Sequence, residues 1–137
     1  MTDELVAYCD GGARGNPGPA ALGVSLQAPD GTEIEAISRY IGEGTNNVAE
    51  YSAVLVALQR AAELGARRVR VISDSQLVVE QLNGRYKIKR AHLQRLAMDV
   101  RTAARAFDAV TYEHVPRAGN ARADALVNEA LDAARGF

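Results

Sequence analysis

The sequence predicts an α/β domain with the order strand, strand, strand, helix, strand, short helix, long helix, strand, helix (βββαβααβα). Short apolar runs are typical of strands, and longer segments whose apolar residues recur every three or four positions are typical of helices. Glycine, proline and asparagine residues separate these runs and mark where each element ends. No repeat or linker interrupts the order, so we expect one domain over residues 1–137.

The composition restricts the classes of protein to consider. The hydrophobic fraction of 47% and the charged fraction of 24% are ordinary for a globular domain, and we expect a monomer. No apolar run could span a bilayer and the N-terminus lacks a signal-peptide pattern, so we expect no membrane association and a cytoplasmic protein. Cys9 is the only cysteine, which excludes an internal disulfide. Because the net charge is −1, any nucleic-acid binding must use a local basic patch.

The first strand is predicted over residues 5–9 and is expected to end at Asp10, where a glycine-rich loop begins. The stretch from residue 5 to residue 19 reads LVAYCDGGARGNPGP. An aspartate at this place has two interpretations. It can start a turn by accepting hydrogen bonds from its own backbone, or it can be a metal ligand held on a rigid strand.

The second and third strands are predicted over residues 21–27 and 33–41, with a turn at residues 29–31 between them. Three strands joined by short turns indicate an antiparallel meander. A loop of turn-forming residues then leads to the first helix. It contains three residues that are suitable helix N-caps, namely Thr45, Asn46 and Asn47.

The first helix is predicted over residues 48–64 and ends before Gly65. Glu50 would lie in its first turn, on the same face as Val54 and Ala57, and would therefore point toward the sheet. An ionised glutamate that faces a core is costly unless a cation or hydrogen-bond donors meet it. The alternative is that the helix dipole alone stabilises a first-turn glutamate.

The fourth strand, residues 67–73, ends at Asp74, and Ser75 can cap a helix that begins at Gln76. The helix between the third and fourth strands predicts a right-handed crossover and parallel pairing. Sites in such sheets gather at the carboxyl ends of neighbouring strands. We therefore expect Asp10 and Asp74 to lie side by side.

The short helix ends near Asn83 and is followed by four basic residues around Tyr86. They form either a solvated turn or a patch that contacts phosphates. The four residues are Arg85, Lys87, Lys89 and Arg90.

The remaining elements are a long helix over residues 91–107, a last strand over residues 110–115 and a final helix over residues 121–134. Asp124 falls in the first turn of the final helix, on its core-facing side. It is a fourth carboxylate near the end of an element.

Four inward carboxylates are thus expected at one site: Asp10, Glu50, Asp74 and Asp124. Like charges this close would raise one another's pKa values unless a cation neutralises them. Oxygen ligands without cysteine or histidine favour Mg²⁺ or Mn²⁺. Two such ions roughly 4 Å apart would serve in-line phosphoryl displacement, one by activating a water and the other by stabilising the leaving oxygen.

The residues also resemble a known family, type 1 ribonuclease H, from Asp3 to nearly the C-terminus. Four motifs carry the resemblance in this order: YCDGGARGNPGPA, GTNNVAEY, VISDSQLVV and GNARADALVNEA. The resemblance implies a ribonuclease H-like mixed sheet of five strands in the order 3-2-1-4-5, flanked by helices. It implies hydrolysis of the RNA strand of RNA–DNA hybrids, which leaves 5′-phosphate and 3′-hydroxyl ends. It also implies that the four carboxylates bind two metal ions.

The resemblance further implies contacts with the hybrid. Asn16, Asn46 and Gln76 match residues that read the minor groove and its 2′-hydroxyls, and Thr45 matches a residue that holds a phosphate of the DNA strand. The backbone of residues 11–13 matches the loop that approaches the RNA strand, where glycine permits close contact. The complete expected set is Gly11, Gly12, Ala13, Asn16, Thr45, Asn46, Asn47, Gln76, Arg85, Lys87, Lys89 and Arg90.

Two departures from the family pattern matter. Many relatives carry a histidine in a longer loop before the last helix, whereas here that loop reads VPRAGN and contains no histidine. Either Arg117 is the nearest stand-in, or the role is missing or taken by water. Some relatives insert a basic helix where this chain has only GRYKIKRAHL, so hybrid binding would depend more on the basic cluster. This compact pattern is similar to archaeal and actinobacterial members. In some of the actinobacterial proteins a phosphatase domain follows, which leaves open that this chain is the N-terminal part of a bifunctional protein.

Two other functions compete with the hybrid nuclease. A noncatalytic hybrid-binding domain would use the same fold, but all four carboxylates are present, and decayed copies usually lose at least one. A different metal nuclease, such as a Holliday-junction resolvase or a transposase core, is disfavoured by the NNVAEY and SDSQ segments.

Overall fold

A computed structural model describes residues 3–135 of the chain. The order of elements is the one predicted from the sequence. The strands and helices are β1 (Glu4–Ala13), β2 (Gly18–Gln27), β3 (Glu33–Gly44), α1 (Asn46–Glu63), β4 (Arg68–Ser73), α2 (Gln76–Leu82), α3 (Ala91–Ala104), β5 (Ala109–His114), a 3₁₀ turn (Arg117–Asn120) and α4 (Ala121–Arg135). No helix within residues 3–135 is long and apolar enough to cross a membrane.

The five strands form one mixed sheet in the order β3-β2-β1-β4-β5, which confirms the expected topology. β1 pairs with β2 and β2 pairs with β3 in antiparallel fashion, whereas β4 is parallel to both β1 and β5. The register sets Cys9 of β1 opposite Ser73 of β4. Asp10 and Asp74 are the next residues along these two strands, so they meet at the same end of the sheet.

The two faces of the sheet are covered by different helices. The larger core packs α1 and α3 over one face, where alternate residues of β2 such as Leu22, Val24 and Leu26 are buried. On the opposite face, α4 packs against β2 through a smaller cluster that contains Ala21, Val127 and Leu131. Asp124 therefore approaches the site from the face opposite to α1.

The first strand is longer than predicted. It continues through Asp10 and both glycines to Ala13, where it pairs with Ala20 of β2, and β2 accordingly begins at Gly18. The expectation that the strand ends at Asp10 was wrong because α1 packs directly on it. A Cβ on Gly11 would overlap the backbone of Ala49, so glycine here allows close packing rather than a turn.

The start of α1 also differs from the prediction. Thr45 is the N-cap, because its Oγ1 accepts a hydrogen bond from the Val48 N–H at 3.2 Å, and the helix therefore begins at Asn46 rather than Val48. Glu50 consequently lies in the second turn and not in the first. A position beyond the first turn gains little from the helix dipole, so the dipole does not account for this buried carboxylate.

The other boundaries differ by a few residues. β3 runs on to Gly44, and α3 ends at Ala104 rather than at residue 107. The predicted end of α1 is confirmed, with Gly65 at φ +84° directly after the C-cap. Ser75 caps α2 as predicted, by accepting a hydrogen bond from the Val78 N–H at 3.3 Å.

Candidate metal and nucleic-acid site

Three of the four predicted carboxylates come together at the carboxyl ends of β1 and β4. Asp10, Glu50 and Asp74 each offer one oxygen, and these three oxygens lie within 4.8 Å of one another. Asp10 and Glu50 are both only 8% exposed. A strand, a helix and a turn, far apart in the sequence, thus direct three acidic groups to one point.

Hydrogen bonds to the backbone hold this cluster in place. The Gly11 N–H donates to Glu50 Oε1 at 2.6 Å, which ties α1 to the strand that carries Asp10. The Ser75 N–H donates to Ser73 Oγ at 3.0 Å and fixes the turn that contains Asp74. The carboxylates are therefore fixed by the fold itself, as a preorganised site requires.

The electrostatics of the cluster are unfavourable when its carboxylates are charged. Burial raises the pKa of Asp10, and a hydrogen bond with Glu50 and the charges of Glu50, Asp74 and Asp124 raise it further. Burial also raises the pKa of Glu50, although hydrogen bonds from Asp10 and the Gly11 N–H oppose part of that rise. A bound cation would remove this penalty, so the donor set and its electrostatics both fit a divalent metal.

Asp124 lines the same cleft but stands apart from the three clustered carboxylates. It lies in the first turn of α4, and its charge contributes to the raised pKa of Asp10. Its Oδ2 accepts a hydrogen bond from Asn128 Nδ2 at 3.5 Å, and its Oδ1 lies 3.7 Å from Arg117. That Asp124 is a metal ligand stays a prediction.

The carboxylates lie in an open cleft of about 530 Å³. Residues 11–13 of β1 form part of its wall, together with Asn46 and Asn47 of α1 and Ser75 of the following turn. The side chain of Arg117 lines the cleft as well and is 82% exposed. A cleft this open admits a large polar substrate.

Two of the predicted groove readers hold the wall of the cleft together. Asn46 Oδ1 accepts a hydrogen bond from the Ala13 N–H at 2.8 Å, and Asn16 Oδ1 accepts one from the Asn46 N–H at 3.0 Å. Neither Nδ2 group has a hydrogen-bond partner within residues 3–135. Both side chains therefore keep two N–H donors for a ligand.

Asn16 does not itself line the cleft, and several other predicted substrate contacts also lie outside it. The hydroxyl of Thr45 is used as the helix cap, and Gln76 is exposed at the first position of α2. None of the four basic residues after α2 lines the cleft, and Arg85 is paired with Glu80 at 2.7 Å. Contacts of these residues with a substrate stay predictions.

The sequence analysis missed two residues near the site. Asn120 is 1% exposed, and its Nδ2 donates to the carbonyl oxygen of Cys9 at 2.8 Å, which joins the turn before α4 to the strand that carries Asp10. Arg14 lines the cleft and forms an ion pair with Asp132 at 2.7 Å. A polar residue next to a glycine suggests only a turn, so the sequence contained no signal for the burial of Asn120.

Comparison with known proteins agrees with this fold. The family described as Reverse transcriptase-like matches residues 8–130 of the chain. This match, the sheet order and the carboxylate cluster define the class of protein, a ribonuclease H-like domain.

Three relatives identify the family. The crystal structure of RNase H1 from the halophilic archaeon Halobacterium salinarum NRC-1 is 46% identical with a TM-score of 0.92, covering 94% of this chain and 98% of that one. LC11-RNase H1, solved in complex with an RNA/DNA hybrid, is 42% identical with a TM-score of 0.91, covering 95% of this chain and 98% of that one. The bifunctional protein Rv2228c of Mycobacterium tuberculosis is 46% identical over 96% of this chain. The chain belongs to the ribonuclease H family, and it spans 36% of the length of Rv2228c.

Proposed function

We propose that this chain is an endonuclease that hydrolyses the RNA strand of RNA–DNA hybrids and leaves 5′-phosphate and 3′-hydroxyl ends. The observation that carries the proposal is the set of three carboxylate oxygens within 4.8 Å, in a cleft whose wall offers side-chain amide donors. The relative LC11-RNase H1, which was solved in complex with an RNA/DNA hybrid, supports the choice of substrate.

The carboxylates would hold two Mg²⁺ or Mn²⁺ ions. Asp10, Glu50 and Asp74 fit one ion by their spacing, and Asp124 on the opposite wall would complete the second site with Asp10. The bound ions would activate a water as nucleophile and stabilise the leaving 3′-oxygen. The protein contributes the fixed positions of the carboxylates, which would set where the ions lie and, through them, where the scissile phosphate binds.

Recognition of the RNA strand would use the wall of the cleft. The Nδ2 donors of Asn16 and Asn46 suit the acceptors of the minor groove and the oxygen of a 2′-hydroxyl. Gly11 and Gly12 carry no side chain that would hold the sugar–phosphate backbone away. We place Asn47 in the wall itself, Thr45 and Gln76 at the border of this contact, and Arg117 beside Asp124, where many relatives carry the histidine.

A cleavage assay with matched variants tests the proposal. The wild-type protein should cut the RNA strand of a labelled hybrid with Mg²⁺ or Mn²⁺ and should leave duplex DNA intact. Asp74→Asn should reduce this activity by at least about 100-fold, because it removes one charged ligand from the cluster. Asp99→Asn makes the same chemical change at an exposed site on α3 and should leave the activity unchanged.

A second readout does not depend on catalysis. Mg²⁺ alone should raise the melting temperature of the wild-type protein and of Asp99→Asn, but not that of Asp74→Asn, because binding to the folded state stabilises it. Equal cutting of hybrid and duplex DNA would contradict the proposed substrate. Full hybrid cleavage in the presence of a strong chelator would contradict the metal site.

A further inference from the structure

The basic turn, residues 85–90 between α2 and α3, is fastened to the domain through its main chain. Gln81 of α2 donates from Nε2 to the carbonyl oxygen of Lys87 at 3.1 Å. Gln94 of α3 donates from Nε2 to the carbonyl oxygen of Ile88 at 2.7 Å. Two consecutive carbonyl groups are thus held by glutamines from the two flanking helices.

The first glutamine is itself held in one orientation. Gln81 is 6% exposed, and its Oε1 accepts a hydrogen bond from the hydroxyl of the fully buried Tyr51 at 2.7 Å. Burying an amide costs free energy that only its hydrogen bonds offset, so an apolar side chain would serve packing better. The hydrogen bonds of Gln81 therefore serve to fix the turn against α1.

Because the basic turn is attached through its main chain, three of its four cationic side chains form no ion pair within the described residues. Lys87, Lys89 and Arg90 are exposed, and none of them forms an ion pair within residues 3–135. Arg85, in contrast, is paired with Glu80 at 2.7 Å. Because the backbone of this segment is already held, binding an anion costs the three unpaired cations side-chain freedom but little backbone freedom.

The distance between the cleft and the basic turn indicates which anion Lys87, Lys89 and Arg90 bind. α2 starts beside Ser75 in the cleft wall and its seven residues rise roughly 10 Å before the turn begins. That distance matches the groove widths of nucleic-acid duplexes, roughly 6–12 Å. A duplex with one strand over the carboxylates would therefore bring phosphates of its other strand to the basic turn.

We propose that Gln81 and Gln94 are positioning residues, which hold the basic turn so that Lys87, Lys89 and Arg90 bind phosphates of the DNA strand opposite the strand that is cut. This inference rests on the proposed function and deepens it. The glutamines act on affinity for the hybrid and leave the hydrolytic step unchanged, because they lie away from the carboxylates.

The test compares Gln81→Met and Gln94→Met with Gln59→Met, an exposed glutamine of α1 without a side-chain hydrogen bond in the described part of the chain. The first two variants should speed amide hydrogen exchange within residues 85–90 and raise KM for the hybrid several-fold, with kcat unchanged. Gln59→Met should change neither. Because Gln94 is exposed, Gln94→Met carries the test by itself if Gln81→Met does not fold.

A coupled measurement separates positioning from general destabilisation. In a background in which Lys87, Lys89 and Arg90 are all changed to alanine, Gln94→Met should raise KM no further, because the cations that it positions are gone. An undiminished rise of KM in that background would overturn the inference, as would unchanged exchange in the turn or a loss of kcat at constant KM. Wild-type protein that cuts no hybrid would contradict the proposed function and this inference together, and that result is seen before any glutamine is changed.

Discussion

Asp10 carries an electrostatic cost at the candidate site. It is buried beside Glu50 and Asp74, and both burial and neighbouring charge raise its pKa. Glu50 shares this condition. A buried cluster of like charges lowers the stability of the protein and is typical of a site that binds a ligand. The two raised pKa values also predict how stability depends on pH.

The stability of the metal-free protein should fall as the pH rises. A carboxyl group whose pKa is raised by folding contributes stability below its unfolded pKa of about 4 and loses it as the pH rises toward the folded value. We expect the free energy of unfolding, measured by urea denaturation with a chelator, to be at least about 1 kcal/mol lower at about pH 8 than at about pH 5. Asp10→Asn should largely remove this difference.

Carboxylates whose pKa values are lowered by folding do not disturb this measurement. Arg122 and Arg60 lower the pKa values of Glu33 and Glu35 by hydrogen bonding, so these groups affect stability only at lower pH. Saturating Mg²⁺ should restore the stability of the wild-type protein at about pH 8. A wild-type stability that rises between the two pH values would contradict the raised pKa of Asp10.

The buried amide of Asn120 provides a second test at the residue scale. Its Nδ2 donates to the carbonyl oxygen of Cys9 at 2.8 Å, next to Asp10. Asn120→Ala should lower the free energy of unfolding by about 1–3 kcal/mol, because a buried carbonyl group loses its partner. Asn83 donates the same kind of bond to Tyr112 at 3.1 Å in an exposed position, where water can replace it. Asn83→Ala should therefore cost clearly less, and equal costs would show that burial is not the cause.

At the scale of elements, the contact between β1 and α1 decides the geometry of the site. The Gly11 N–H binds Glu50, and the absence of a side chain at Gly11 lets the backbone of α1 approach the strand. The N-cap Thr45 starts α1 at the residue that brings Glu50 over Asp10. Strand, cap and helix thus act as one unit that sets the distance between two carboxylates.

Two adjacent glycines of β1 allow a matched comparison of this contact. Gly11→Ala should lower the free energy of unfolding by about 1–3 kcal/mol and reduce hybrid cleavage, because the new Cβ would push α1 and Glu50 away. In Gly12→Ala the nearest atom to the Cβ is Val127 Cγ1 at 3.7 Å, an ordinary contact. That variant should stay within about 0.5 kcal/mol of the wild type. Similar losses in both variants would contradict the role assigned to the α1 contact.

At the scale of the whole molecule, hybrid binding depends on where the charges lie. The net charge is −1, so the protein has no general attraction for a polyanion. The carboxylates of the cleft repel phosphates until a cation binds, and the basic turn lies at a distance from them. Affinity for the hybrid should therefore depend on a few local cations. Cytoplasmic localisation, the monomeric state and a fused phosphatase domain stay predictions.

The salt dependence of hybrid binding should report these cations. Changing Lys87, Lys89 and Arg90 together to alanine should reduce the slope of log K against log salt by about 2–3, at close to one unit per lost phosphate contact. Binding can be followed with Asp10→Asn protein, which should not cut the hybrid. The control variant changes Arg67, Arg68 and Arg70 together to alanine. These arginines already form ion pairs, with Asp108, Glu4 and Glu113 respectively, so their loss should leave the slope nearly unchanged. An unchanged slope in the variant that lacks Lys87, Lys89 and Arg90 would show that the basic turn is a solvated segment that binds no phosphates.

The sequence by itself determined the order of the elements, the cap of α2 and the acidic residues to consider. For α1 it offered three possible caps, of which the structure uses Thr45. Apolar periodicity and capping act between residues that are close in the chain, so a single sequence displays them. The four motifs also identified the family.

Only the tertiary structure decided the extent of β1, the separation of Asp124 from the other carboxylates, the burial of Asn120 and the attachment of the basic turn. Each depends on residues far apart in the chain, such as Gly11 against Ala49, or Asn120 against Cys9. Gly11 and Gly12 suggested a loop because glycine is rare inside strands, yet the packing of α1 against the strand requires glycine at position 11. Contacts of this kind arise only when the whole chain has folded, since packing and burial are properties of the assembled core and not of any local segment.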